Sequence, residues 1–192
     1  EPAAPGTYDP LNDVRFLDYE LDMWYYQVLM RGWEKFARAV KQDGQEAFKE
    51  IAKQMSGLRV SESMVKRATA NFPENILDWK ELETKSLASQ LRRETKPIII
   101  AVNKLDLSVT ASNIGRIKKE FPHYKVIGCS ADFELALREA NKNGLIQYAP
   151  GDSSFKIVGN LTDQQKRGLE VIKSFLDTHK STGVQELLNG AV

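Results

Sequence analysis

Lys96-Pro97-Ile98-Ile99-Ile100-Ala101-Val102-Asn103-Lys104-Leu105-Asp106 decides how this chain is divided. Residues 98–102 form a short, unbroken apolar run of largely β-branched type, the composition of a buried strand in a parallel sheet. Pro97 stands at its start, where a missing N–H removes no ladder bond. A second such run, residues 125–129, ends in Cys129-Ser130-Ala131. Residues 109–120 between the two have helical character, so the pattern predicts a parallel pair joined by a crossover helix. Residues 155–158 are a candidate third strand.

Before Lys96 the periodicity is helical throughout. Residues 1–8 are rich in Pro, Ala and Gly and read as extended. Asp9-Pro10 is a helix start, an acidic cap followed by proline in the first turn. Val14, Leu17, Leu21, Trp24 and Val28 then recur at helical spacing. Tyr25, Leu29, Trp33, Phe36 and Val40 widen the stripe, and its aromatics read as core. Gly32 marks a bend. Further helices are predicted over 45–55, with Gly57 just past the end; over 62–70, opened by Ser61; and over 78–93, with Leu82, Leu87 and Leu91 inward. After the second strand, residues 134–140 read as helix. So do residues 161–179, with Thr162 as cap and Leu169, Ile172 and Leu176 inward. A last helix, 184–189, follows Ser181-Thr182-Gly183.

The loops after the two strands carry the candidate chemistry. Ligands of open α/β sheets sit just outside the carboxyl ends of strands, and Asn103-Lys104-Leu105-Asp106 begins there. A carboxylate offers two acceptor oxygens, which match the adjacent N1–H and N2 amine donors of guanine in a charge-assisted pair. Adenine lacks that donor pair, so Asp106 would carry the choice of base. Asn103 suits N7 and nearby backbone. The Lys104 stem can lie along the ring with its ammonium in water. Near Ala131 a backbone N–H would meet guanine O6, and Ser130 also reads as a helix cap.

Composition narrows the alternatives. The 192 residues carry a net charge of +1, which points to neither nucleic acid nor membrane as a bulk partner. No apolar run is long enough to span a bilayer. The first residues lack the basic flank and apolar core of a signal peptide, which leaves a cytoplasmic location as the expectation. Cys129 is the single cysteine, and it reads as a small buried hydrophobe. His123 and His179 are the two histidines; neither has the spacing of a metal site, and both read as surface residues. Residues 31–67 hold nine Lys/Arg against five Asp/Glu. That surplus reads first as a solvated helix face and second as an RNA-phosphate contact. No Gly-x-x-x-x-Gly-Lys-Ser/Thr and no Asp-x-x-Gly occurs in these residues.

With these elements placed, the chain resembles the archaeal branch of the Obg/YchF-type GTPases, within the translation-factor-related class. The resemblance is carried by Tyr8-Asp9-Pro10, Asp22-Met23-Trp24, Leu91-Arg92-Arg93-x-x-Lys96-Pro97, Asn103-Lys104-Leu105-Asp106 and Ser130-Ala131 leading to Glu134-Leu135-Ala136-Leu137-Arg138. Tyr148-x-Pro150-Gly151, Gln165-Lys166 and Ser181-Thr182-Gly183-Val184-Gln185-Glu186 fit as well. It implies an α/β, mainly helical fold: an all-α insertion domain over residues 1–94, then over 95–192 the C-terminal part of a P-loop-GTPase-like domain with a partial parallel sheet. It implies GTP or GDP as ligand, held by Asn103, Lys104, Asp106, Ser130 and Ala131, and a parent GTP hydrolase linked to the ribosome or translation. The family's phosphate loop, switch regions and Mg²⁺ site would precede Glu1, and a TGS domain would follow Val192. On that reading this stretch is a fragment without catalytic residues. The competing class is a helical protein- or RNA-interaction module without nucleotide chemistry.

Overall fold

The computed structural model describes residues 9–44 and 46–192. The expected extended segment 1–8 and Gln45, the first residue of one predicted helix, lie outside them. The described residues form two compact units, divided between Ile98 and Ile99.

The first unit is helical: α1 (Leu11–Met30), α2 (Trp33–Gln42), α3 (Ala47–Gln54), α4 (Glu62–Ala68) and α5 (Glu81–Thr95), with single 3₁₀ turns at Ser56–Leu58 and Ile76–Asp78. Helix α1 starts one residue later than expected, with Pro10 rather than Asp9 at its N-cap. Asp9 Oδ1 accepts the Leu11 N–H at 3.2 Å, satisfying one of the orphan donors of a helix start. Gly32, at φ +70°, separates α1 from α2; only a residue without Cβ takes that turn freely. The end of α1 is closed from another helix, where Gln54 Nε2 donates to Val28 O and Leu29 O at 3.1 and 2.9 Å. Ser61 Oγ caps α4 by accepting from Met64 N. The left-handed residue after α3 is Arg59, at φ +61°, rather than Gly57, because a 3₁₀ turn carries the chain two residues further.

Helix α5 begins three residues later than expected. Asn75 Oδ1 accepts from Leu77 N and closes a separate turn, while Glu83 reaches back to the Lys80 N–H at 2.9 Å and starts the helix there. Its inward face is Thr84, Leu87, Ala88 and Leu91, at i, i+3, i+4 and i+7. Leu82 lies five residues before Leu87, about 140° around the helix, and is 77% exposed. A similar correction applies to α1, where Leu17 and Trp24 are exposed and Tyr25 and Leu29 are fully buried. The stripe that faces α5 runs Asp18, Asp22, Tyr25, Leu29. Arg92, at 0% exposure, donates through Nε to Asp22 Oδ1 at 2.7 Å and through Nη2 to Asp18. The core behind this ion pair joins Tyr25, Leu29, Ile51, Met55, Val65, Leu87 and Leu91. Trp33, Phe36, Phe72 and Trp79 pack against it, with Trp33 tilted against Trp79 and Phe72 meeting Trp79 edge-on.

The second unit alternates: β1 (Ile99–Val102), α6 (Ser108–Glu120), β2 (Lys125–Gly128), α7 (Ala131–Lys142), β3 (Ile146–Gln147), β4 (Lys156–Ile157), α8 (Asp163–His179) and α9 (Val184–Ala191). β1 and β2 are parallel, in the register Ile99↔Lys125 to Val102↔Gly128. β1 pairs with β2 alone among the described residues; it is half-buried rather than buried, with Ala101 exposed. The expected third strand does not join this sheet. Lys156–Ile157 pairs antiparallel with Ile146–Gln147 as a separate two-residue ladder. Helix α8 has Thr162 as cap, with Gln165 returning to the Thr162 N–H at 2.9 Å, and buries Leu169, Ile172 and Leu176 as its spacing requires. Cys129 is a buried free thiol, pushed up in pKa by that burial. His123 and His179 are exposed. No helix among the described residues is long and apolar enough to cross a membrane.

Candidate functional site

The register Val102↔Gly128 brings the two strand ends level, so the loops that leave them meet. The ladder continues one step into the loops. Cys129 N donates to Val102 O at 2.9 Å, and Leu105 N donates back to Cys129 O at 3.0 Å. Gly128 permits this approach, since a Cβ there would lie 2.6 Å from Ile114 Cδ1 and 3.2 Å from the Leu105 methyls.

Four of the five residues singled out in the sequence, Asn103, Lys104, Asp106 and Ser130, fall on these two loops, and Ala131 is the first residue of α7. Asn103 Oδ1 accepts from the Lys104 N–H at 2.8 Å and from the Ala131 N–H at 3.1 Å. Asp106 Oδ1 accepts from Ser130 Oγ at 2.8 Å. Two bonds thus tie the segments together, both donated from the β2 side to side-chain oxygens of the loop after β1. Lys104 has φ +63°, a left-handed conformation that persists only where its surroundings enforce it. Here the Asn103 side chain holds its N–H, and buried Thr110 donates to its carbonyl at 2.7 Å. Thr110 lies in the first turn of α6 and was not marked by the sequence; a hydroxyl about one turn beyond a motif carries no signal until the helix start is known.

The outer side of the cluster is open. Asn103, Lys104, Asp106 and Ala131 are exposed, whereas Ser130 is buried. Asn103 Nδ2 and Asp106 Oδ2 are left without a partner among the described residues. The carboxylate does not meet a core arginine; a neutral hydroxyl holds one of its oxygens. One expectation changes. The Ala131 N–H, expected to face guanine O6, is donated to Asn103 Oδ1, so a contact to O6 requires that bond to be shared.

Behind Ser130 lies a second polar cluster. Glu134, in the first turn of α7, is 4% exposed. Its Oε2 accepts from Thr182 Oγ1 at 2.6 Å and Tyr148 Oη at 2.8 Å, and its Oε1 from Arg138 Nε at 2.6 Å. Burial alone would raise its pKa; the Thr182, Arg138 and Tyr148 donors together outweigh it and hold the carboxyl below the ordinary value. Burial, with the bond to Glu134 added, pushes the Tyr148 hydroxyl up to about 12. Thr182 is fully buried, and its carbonyl accepts the Ser130 N–H at 2.9 Å.

Residues 101–192 match the family described as Obg-like GTPase YGR210-like, G4 motif-containing domain. This half of the chain is therefore similar to the Obg-like GTPases. The likeness of the whole chain is wider than that match. An uncharacterized GTP-binding protein of Methanocaldococcus jannaschii is 41% identical over 96% of the chain, and one of Schizosaccharomyces pombe is 23% identical over 96%. The crystal structure of a GTP binding protein from Pyrococcus horikoshii OT3 matches at 37% identity, with a TM-score of 0.73 over 96% of this chain. The chain spans about half the length of these relatives: 47% and 48% of the two proteins and 50% of the solved chain. The Obg-like unit and the helical unit together therefore have an α/β, mainly helical, GTPase-like fold.

Proposed function

We propose that the loops after β1 and β2 hold the guanine ring of GTP or GDP. Asp106 pairs with N1–H and the N2 amine, Asn103 Nδ2 meets N7, and the Lys104 stem lies along the ring. Ser130 orients Asp106, and Ala131 serves O6. The observation that carries this reading is the pair of bonds donated by Ser130 to Asp106 and by Ala131 to Asn103, which leaves one polar atom of Asp106 and one of Asn103 facing outward. The relatives described as GTP-binding proteins support the same ligand.

On this proposal the intact protein is a YchF-type GTPase of the cytoplasm, linked to translation, with phosphates and Mg²⁺ held outside these residues. Residues 1–94 are its helical insertion, and residues 95–192 belong to its G domain. The present stretch then binds nucleotide weakly and does not turn it over. A few base contacts contribute about 0.5–3 kcal/mol each, against at least roughly 4 kcal/mol for immobilising a ligand. The competing reading, an RNA-contacting helical module, loses ground on the basic stretch. Arg38, Lys49, Lys53 and Arg67 are paired with Glu34, Glu46, Glu50 and Glu94.

NMR titration of the isotope-labelled chain with GTP and with ATP tests the site. The expected outcome is millimolar, guanine-preferring binding with shifts confined to residues 103–106 and 130–131. Equal response to ATP would sink the assignment. Tight Mg²⁺-dependent binding of GTP would place a phosphate site within these residues. A salt titration of RNA binding decides the competing reading, which requires a steep negative slope.

A further inference from the structure

We propose that Glu134, acting through Thr182, is the residue that positions the base-recognition loop and so sets selectivity for the 2-amino group of guanine. The inference rests on the base-site reading above. It follows a continuous set of bonds. The Glu134 carboxylate accepts the Thr182 hydroxyl at 2.6 Å; the Thr182 carbonyl accepts the Ser130 amide at 2.9 Å; the Ser130 hydroxyl donates to Asp106 at 2.8 Å. Glu134 also closes the first bond of α7, its own N–H donating to Ser130 O at 3.1 Å. Ser130 is thus held at its amide, its carbonyl and its hydroxyl, and Glu134 stands behind the first two.

A plain helix cap does not need this arrangement. The Ser130 side chain accepts no bond from the α7 backbone; its hydroxyl is turned to Asp106 instead. A carboxylate in the first turn could also favour the helix dipole from the solvent side. Glu134 is instead buried and takes three side-chain donors, which is costly unless all of them are satisfied. The Ser181-Thr182-Gly183 turn that delivers the hydroxyl is itself pressed on the end of β2. Gly183 has φ +77°, and a Cβ there would lie 2.1 Å from Gly128 O. The turn therefore has one seat, against the strand that leads into the recognition loop. Glu134 touches neither ring nor phosphate on this reading; it acts by fixing the height of Ser130, and through Ser130 the angle of the Asp106 carboxylate.

The 2-amino group is the part of guanine that this angle governs. Inosine nucleotides keep N1–H, N7 and O6 and lack that amine. The ratio of GDP to IDP affinity therefore reads the carboxylate geometry, and the ratio of GDP to ADP reads the base site as a whole. The experiment is NMR titration of the full chain with GDP, IDP and ADP, with amide exchange of Ser130 followed alongside. The wild-type chain is expected to favour GDP over IDP by roughly tenfold, the loss of one charge-assisted hydrogen bond. Glu134→Gln and Thr182→Val should bring that ratio to within about twofold of unity and speed Ser130 exchange by roughly tenfold or more. Thr182→Ser, which keeps the hydroxyl, should retain both wild-type values. The Thr182→Val and Thr182→Ser pair decides the matter if Glu134→Gln does not fold. Folded variants that lose stability yet keep the GDP-to-IDP ratio would assign Glu134 a structural role only and overturn the proposal. A wild-type chain that does not prefer GDP to ADP would overturn the base site itself, which is a different failure.

Discussion

Among the described residues each unit buries one charged side chain, and the two are held in opposite ways. In the helical unit Arg92 is fully enclosed and answered by two carboxylates, Asp18 and Asp22, from a single neighbouring helix. In the Obg-like unit Glu134 is enclosed and answered mainly by hydroxyls, from Thr182 and Tyr148, with one arginine, Arg138, that is itself half in solvent. The first arrangement joins charge to charge and sets which faces of α1 and α5 meet. The second uses neutral donors that sit on loops, so it fixes loops rather than helices. A buried ion pair specifies packing; a buried carboxylate ringed by hydroxyls specifies the position of the residues that carry them.

The largest expected effect comes from breaking the charge-to-charge side. Arg92→Ala strands the partly buried carboxylate of Asp22, leaves Asp18 with the longer contact to Arg93 at 3.9 Å, and should cost about 3–5 kcal/mol. Chemical denaturation followed by circular dichroism of the helices would show it. Replacing Arg92, Asp18 and Asp22 together by Met, Asn and Asn should recover most of the loss, because no unpaired charge remains. If Arg92→Ala alone is neutral, the ion pair does not govern the packing of α1 on α5 and the contrast between the units collapses.

Next in size is Gly183→Ala. The added Cβ meets the Gly128 carbonyl at 2.1 Å and sits at a positive φ, so the turn must lift. We expect a loss of roughly 2–4 kcal/mol confined to the second unit, read as faster amide exchange in residues 125–131 with the helical unit unchanged. A uniform loss across both units would show that the turn does not serve the strand end in particular.

Titration sharpens the comparison further. The folded-state pKa of Tyr148, about 12, lies above its ordinary value of 10.0. The folded state therefore keeps the proton more tightly. Stability from this group is complete below pH 10 and declines as pH rises through 12, by up to roughly 2–3 kcal/mol. Tyr148→Phe should flatten that alkaline limb. The folded-state pKa of Glu134 is depressed. Its contribution is present above the ordinary carboxyl value and is lost as pH falls through the lowered one, so Glu134→Gln should flatten the acid limb. An unchanged pH profile in both variants would mean that the cluster is not built around the ionised carboxylate.

The smallest effect on stability, within about 0.5 kcal/mol, is expected for Asp106→Asn. Its side chain is exposed, and an amide oxygen can still accept from Ser130. Selectivity should change instead. An amide offers one acceptor and one donor where the carboxylate offers two acceptors, so guanine should weaken and xanthine, with a carbonyl in place of the 2-amine, should gain. Competition between GDP and XDP on the labelled chain measures it. A variant that still prefers GDP would remove Asp106 from base recognition.

Much of this was open to reading in the residues themselves. The parallel pair, the crossover helix between its strands, the break at Gly32, the caps at Ser61 and Thr162 and the inward face of α8 all follow from local periodicity and cap chemistry. The five candidate site residues needed only the rule that loops after parallel strands share an edge. What misled was polarity on buried faces. Asp18 and Asp22 look like solvent positions, so the stripe of α1 was placed on Leu17 and Trp24. Leu82 looks like core by type, but the turn closed by Asn75 and the reach of Glu83 decide where α5 begins and which side it shows.

By itself, then, the sequence determined the elements and the chemistry on offer, because helical and strand periods, caps and the donors and acceptors of adjacent side chains are properties of neighbours along the chain. Only the tertiary structure decided which polar groups would be buried and against what. Arg92 meets Asp22 across 70 positions, and Glu134 meets Thr182 across 48. Burying a charge is favourable only when its partners arrive together, and arrival is a matter of folding, not of spacing.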